Sequence, residues 1–136
     1  MQRAAELTSN ALPVYRSPEG MVEVLRPSYP VYCVRTAKIR EVAKIFLGGF
    51  PGDVLYAVKC NSEPHMLQEL YQAGIRHFDT ASLPEIALVS EMFSDGQAYF
   101  MHPVKSRAAI SSAYRDYGVR YYVVDHPSEL EKISNL

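Results

Sequence analysis

Most markers of specialised chemistry are scarce in this sequence. Its 136 residues include only two cysteines, Cys33 and Cys60. Their separation matches neither a metal-ligand nor a redox spacing, so a reduced, cytoplasmic protein without a metal is the expectation. Lysine and arginine total 14 against 15 acidic residues, and no basic block occurs. That balance gives no electrostatic footprint for nucleic acid or an anionic membrane surface. No apolar run approaches the roughly 20 residues that span a bilayer. The opening MQRAAELTSN has neither the basic start nor the apolar core of a secretory signal. What remains is an ordinary apolar fraction, 48%, in a chain long enough for one domain with a core.

Order is weak at first. To about Pro30 the sequence is Pro-rich (ALPVYRSPEG, LRPSYP) and reads as an N-terminal arm or edge strand over 1–30. A rhythm then begins. Short apolar runs occur at VYCV (31–34), VLYAV (54–58), HFDT (77–80), AYFM (98–101) and YYVV (121–124), starting about 21–23 residues apart. Segments of helical spacing lie between them: Ile39, Val42, Ala43 and Phe46; then Ile86, Val89 and Phe93; then Ala109, Ile110, Ala113 and Tyr117. Ser62 is placed to cap a helix with Pro64 in its first turn, and Gly74 suits its end. Ser82 with Glu85, and Ser128 with Glu131, match the capping box, and Gly118 closes the helix before YYVV.

Strand, loop and helix in about 22 residues form a β/α unit, and continuous apolar strands suit a parallel sheet covered by helices. Five such units over 31–136 predict an α/β fold, the first part of a (β/α)8 TIM-type barrel. The missing Gly-rich fingerprint weakens a doubly wound dinucleotide fold. A closed barrel takes eight units and about 250 residues, so the sequence is expected to be part of something longer. A smaller open sheet is the alternative.

In such barrels chemistry gathers at the carboxyl ends of the strands. Those positions hold Lys59 and Cys60, Asp79 and Thr80, His102, and Asp125 with His126. A lysine, a carboxylate and a histidine there are either solvated strand-end residues or groups facing one mouth. Position alone leaves both readings open for Lys59.

YAVKCN (56–61), with FDTASLPEI (78–86) about twenty residues on, resembles the amino-terminal signature of the barrel-fold pyridoxal-phosphate decarboxylases, the ornithine decarboxylase group. MHPVKSRAAI and YGVRYYVVDHPSELEKI resemble the next two units, so the likeness covers about residues 29–133. Alanine racemases and diaminopimelate decarboxylases share the AVK start. Phe78-Asp79-x-Ala81-Ser82-x-x-Glu85 is closer to the ornithine branch.

The resemblance implies pyridoxal 5'-phosphate as cofactor, with Lys59 forming a Schiff base to its aldehyde. A lysine does so only as the free amine, which desolvation or imine formation itself favours. It implies that Asp79 lies near the cofactor and that Glu85 belongs to the catalytic set, although Glu85 is also explained by its capping box. Ala57 is expected to be small so that the cofactor ring can approach. Cys60 is expected to be a packed small residue, His102 and His126 solvated loop residues, and Lys105 and Arg107 part of a charged helix face.

The implied activity is decarboxylation of a small basic amino acid, L-ornithine to putrescine for polyamine synthesis, by a full-length homodimer. Lysine, diaminopimelate, carboxynorspermidine or arginine are alternative substrates within the lineage. A non-catalytic binding protein of the same fold is the alternative from another class. The arginine, stacking histidine, phosphate-gripping Gly-rich loop, Glu-Pro-Gly-Arg segment and β domain of the family are expected beyond Leu136, so this polypeptide alone is expected to lack turnover.

Overall fold

The structure, a computed structural model, describes residues 12–134. The chain divides into two compact units, Met1–Val34 and Arg35–Leu136. In the first, the part of the expected arm before residue 12 lies outside the described residues. The rest is not simply extended. Helix α1 spans Pro18–Leu25, with Ser17 Oγ accepting from the Gly20 N–H at 3.1 Å and Pro18 in its first turn. Ser-Pro-Glu is a helix start: a cap, a residue with no N–H to satisfy, and an acid at the dipole's positive end.

VYCV (31–34), expected to be the first strand, joins no sheet ladder among the described residues. Its alternate residues are exposed in both directions, with Val31 at 40%, Tyr32 at 96% and Val34 at 45%. An apolar run becomes a strand only by pairing, and among the described residues this one pairs with no neighbour. Among the described residues four strands form where five were expected.

The second unit opens with helix α2 (Thr36–Gly49), then alternates β1 (Leu55–Ala57), α3 (Pro64–Ala73), β2 (His77–Thr80), α4 (Leu83–Met92), β3 (Gln97–Phe100), α5 (Arg107–Arg115), β4 (Tyr121–Tyr122) and α6 (Pro127–Ile133). A 3₁₀ turn, Val58–Cys60, joins β1 to the loop before α3. The strands lie side by side in chain order, β1-β2-β3-β4, and every pair is parallel. Sequential parallel order with a helix at each crossover is the progression of a barrel wall.

Helices pack on one face of the sheet. Phe78, Val58, Leu67, Ile75, Val89 and Phe93 form the larger core, and Ile86, Phe100, Ala113 and Val119 the smaller. Phe93 stacks on Phe78 and Tyr71, with centroids 5.4 and 4.3 Å apart. The stripe of α4 is buried as its spacing predicts. That of α2 is only partly covered: Ala43 is buried and Ile39 packs on the core, while Val42 and Phe46 face solvent. Helix α2 meets α3 along one side, where Arg40 pairs with Glu69 and Gln72. Tyr117 lies past the end of α5 and is exposed.

Two caps differ from expectation. Ser62 does not cap α3: Glu63 stands at its N-cap with no side-chain cap bond, and Asn61 Oδ1 accepts from the Glu63 N–H at 3.0 Å in the turn before the helix. An Asx side chain reaches the amide two residues on, which sets the turn one step earlier. Helix α6 begins at Pro127, so His126 caps it, Nδ1 accepting from the Ser128 N–H at 3.2 Å. Proline's fixed φ suits the first helical position and moves the start ahead of Ser128.

Two arginines close the opposite end of the sheet in the same way. Arg76 lies 3.9 Å over the Tyr71 ring and donates to the Tyr71 and Ile75 carbonyls. Arg120 lies 4.1 Å over Tyr114 and donates to the Tyr114 and Val119 carbonyls. Each follows a glycine at positive φ, Gly74 at 116° and Gly118 at 69°. At Gly74 a Cβ would also lie 3.1 Å from Leu47 Cδ1. Gly74→Ala is therefore expected to lower the unfolding free energy by about 1–2 kcal/mol, read by urea denaturation.

Candidate active site

The parallel register sets one row across the sheet: Ala57 opposite Asp79, Asp79 opposite Tyr99, Tyr99 opposite Tyr121. Successive residues of a strand point to opposite faces. Phe78 and Thr80 are buried on the helix side, so Asp79 and its row stand on the face the helices leave open.

Lys59 lies just past this row. The strand ends at Ala57, one residue before the apolar run does, because Val58 is wholly buried and starts the 3₁₀ turn. Burying Val58 turns Lys59 and Cys60 outward, and both are exposed. Cys60 is therefore not the packed residue expected. The turn is held by the Asn61 N–H donating to the Val58 carbonyl at 3.2 Å and by the Tyr56 hydroxyl donating to the Asn61 carbonyl at 3.1 Å. Among the described residues the Lys59 amine has no hydrogen bond or ion pair, and neither has the half-buried Asp79 carboxylate. A primary amine and a carboxylate, both unpartnered, thus follow from adjacent strands, with Ala57 between them in the ladder.

Glu85 is placed differently. Its Oε2 accepts from the Ala81 N–H at 2.7 Å, and its own N–H donates to Ser82 Oγ at 3.5 Å. The capping box forms, one residue wider than the usual pattern. One carboxylate oxygen is thereby committed to the loop that follows β2.

The loops after β3 and β4 are joined by a buried ion cluster that sequence reasoning missed. Lys105, expected on a charged helix face, has a wholly buried side chain. Its Nζ donates to the carbonyls of His102 at 2.8 Å and Val123 at 2.7 Å and lies 3.4 Å from Glu129 Oε2. Glu129 also accepts from the Lys105 N–H and pairs with Lys132, which donates to the Lys105 carbonyl at 2.7 Å. A buried ammonium needs just such a shell of acceptors. The one legible signal was the i, i+3 pair Glu129 and Lys132. His102 and Arg107 are exposed, as expected of loop and helix-start residues.

Below the row is a second set that the sequence reading passed over. The Tyr99 hydroxyl lies 3.0 Å from His77 Nδ1 and 3.3 Å from Gln97 Oε1, and His77 Nε2 lies 3.5 Å from Asp53 Oδ1. Tyr99 stacks on Tyr121, centroids 4.7 Å apart. Burial first, then Tyr121 and Asp53, push the Tyr99 hydroxyl's pKa above its ordinary value. Closed barrels fill this face with branched apolar side chains. Here strand alternation places His77 with Asp79 and Gln97 with Tyr99.

Residues 35–136 match the model of the pyridoxal-dependent decarboxylase pyridoxal-binding domain. The chain belongs to the pyridoxal-dependent decarboxylases. It is 39% identical over 82 residues to a lysine/ornithine decarboxylase of Selenomonas ruminantium, a match covering 60% of this chain and 20% of that one. Among solved structures, the lysine/ornithine decarboxylase of Vibrio vulnificus complexed with putrescine superposes with a TM-score of 0.73 at 30% identity, over 86% of this chain and 32% of that one. The arginine decarboxylase of Paramecium bursaria Chlorella virus, bound to agmatine, gives 0.77 at 25% identity over the same shares, 86% and 32%. The chain thus spans about a fifth of the curated relative and a third of the solved structures. The fold is part of their barrel, and the cofactor of this domain is pyridoxal phosphate. The donor set fits that cofactor's aldehyde end: an accessible amine, a nearby carboxylate and a small residue between them. Among the described residues no helix is long and apolar enough to cross a membrane.

The ion cluster has a pH consequence. Lys132, donating to Glu129, holds that carboxyl below the usual carboxylate range; burial opposes this, and the Lys105 N–H and ammonium add to it. A depressed folded-state value means stability that is present above the unfolded carboxylate range and lost as pH falls through the folded value. Glu129→Gln should flatten the acid limb of a stability–pH curve taken by thermal melting, with the native chain losing more stability on acidification than the variant.

Proposed function

We propose that this chain carries the anchoring half of the active site of an ornithine-type decarboxylase, with residues 35–136 as the amino-terminal part of the cofactor-binding barrel. The observation that carries the reading is the accessible, unpartnered Lys59 amine one turn beyond the Ala57–Asp79 rung. Lys59 is the covalent anchor for the cofactor's aldehyde. Exposure leaves it open to that aldehyde and to exchange with a substrate amine. Asp79 holds or accepts a proton beside that amine while the bond is exchanged. Ala57 leaves room for a flat ring against the sheet. Glu85 fixes the loop after β2 through Ala81 and offers its second oxygen to the mouth. When bound, pyridoxal phosphate supplies the conjugated ring that takes up the electron pair left as carbon dioxide departs.

The favoured substrate is L-ornithine, giving putrescine, because Phe78-Asp79-x-Ala81-Ser82-x-x-Glu85 resembles the ornithine branch. Lysine is the second reading, favoured by the Selenomonas and Vibrio relatives, whose names include both. The proposed full-length protein is a homodimer of the cytoplasm, a reducing compartment that would keep the exposed thiols of Cys33 and Cys60 free. Retention of an accessible lysine at this position counts against a purely binding role.

Lys59→Ala is expected to abolish the visible absorbance of bound cofactor and carbon dioxide release by the full-length enzyme. Asp79→Asn is expected to slow release by about 10²-fold or more while the protein still binds cofactor. Ornithine, lysine and arginine offered in parallel decide the substrate. Unchanged turnover in Lys59→Ala would overturn the reading.

A further inference from the structure

The lower row explains why Asp79 has no partner. His77 precedes it by two residues on the same strand face, about 6.6 Å along the strand, and is an imidazole that could pair with a carboxylate there. Both ring nitrogens of His77 are turned elsewhere. Nδ1 faces the Tyr99 hydroxyl at 3.0 Å, and Nε2 faces Asp53 Oδ1 at 3.5 Å. Gln97 Oε1, 3.3 Å from the same hydroxyl, makes the tie independent of charge on the ring. Tyr99 donates to Nδ1 of a neutral imidazole; against a charged one it accepts from Nδ1–H and donates to Gln97. Among the described residues, the charged and titratable groups in contact with His77 are Asp53 from the loop before β1 and Tyr99 from β3, and Asp79 stands two residues on along the same face of its own strand. Of these, Tyr99 is fixed most firmly, by its hydroxyl's two contacts and by its stack on Tyr121.

We infer that Tyr99 is a positioning residue: by holding His77 it keeps the Asp79 carboxylate unpaired and free for the Lys59 amine. The inference rests on the role proposed above for Asp79, but the hold on His77 can be read without cofactor.

The test uses the full-length enzyme with ¹⁵N-labelled histidine, as native protein, Asp79→Asn, Tyr99→Phe and the double variant. Phenylalanine keeps the ring stacked on Tyr121 and removes only the hydroxyl. The expected result is that Asp79→Asn leaves the His77 ring-nitrogen shifts in place when Tyr99 is present and moves them in the Tyr99→Phe background. Covalent attachment of pyridoxal phosphate to Lys59 should slow about fivefold in Tyr99→Phe, the scale of a partly exposed ion pair. It should recover when His77→Leu is added. His77 shifts that ignore Asp79→Asn in both backgrounds would overturn the inference, as would attachment that His77→Leu fails to rescue. Failure of the native full-length enzyme to attach cofactor at Lys59 would instead sink the functional reading, with the nitrogen shifts still reporting on Tyr99.

Discussion

Everything at this site depends on the parallel register of four short strands. Because β1, β2, β3 and β4 run the same way in chain order, Ala57, Asp79, Tyr99 and Tyr121 come to one level on one face. A shift of one residue in any strand would send its member of the row into the helix-covered core and bring a residue such as Phe78 into the open. The register is protected by burial. Val58, Phe78 and Phe100 are almost wholly removed from water, and Thr80 spends its hydroxyl on the Tyr99 carbonyl at 2.8 Å. Burying the far face therefore fixes which residues the near face presents.

Much of this was legible in the sequence, for a stated physical reason in each case. HFDT, read as a short apolar run in a regular series, is β2 residue for residue, and the spacing of Ile86, Val89 and Phe93 gave the buried face of α4. Ser82 and Glu85 gave the start of α4, and Gly74 and Gly118 the two turns at positive φ. The family could be read from YAVKCN and FDTAS because a lysine at a strand end, a carboxylate at the next and a capping box behind it form an unusual combination.

What the sequence hid was tertiary. VYCV has the composition of a strand, yet composition cannot supply a pairing partner. Lys105 has the composition of a surface residue, and only the fold brings the His102 and Val123 carbonyls and the Glu129 carboxylate around it. His77 and Tyr99 are twenty-two residues apart, and their contact exists only because β2 and β3 are adjacent. Local rules report local facts; a cluster drawn from three or four elements has no local signature. The same limit applies to α2, whose apolar stripe was read correctly as apolar but is covered along one side only.

The site joins two kinds of residue. Among the described residues Lys59 and Asp79 are left without partners, whereas His77, Tyr99 and Glu85 on the neighbouring strands and loop, and Lys105 under the loops after β3 and β4, are each committed by hydrogen bonds. Reactive groups held free inside a satisfied surround are what covalent cofactor chemistry requires. The most direct measurement is to load the protein with pyridoxal phosphate, reduce it with borohydride, digest it and locate the pyridoxyl group by mass spectrometry. The account predicts a single modified residue, Lys59; a label carried chiefly by Lys105, Lys132 or any other lysine would contradict it.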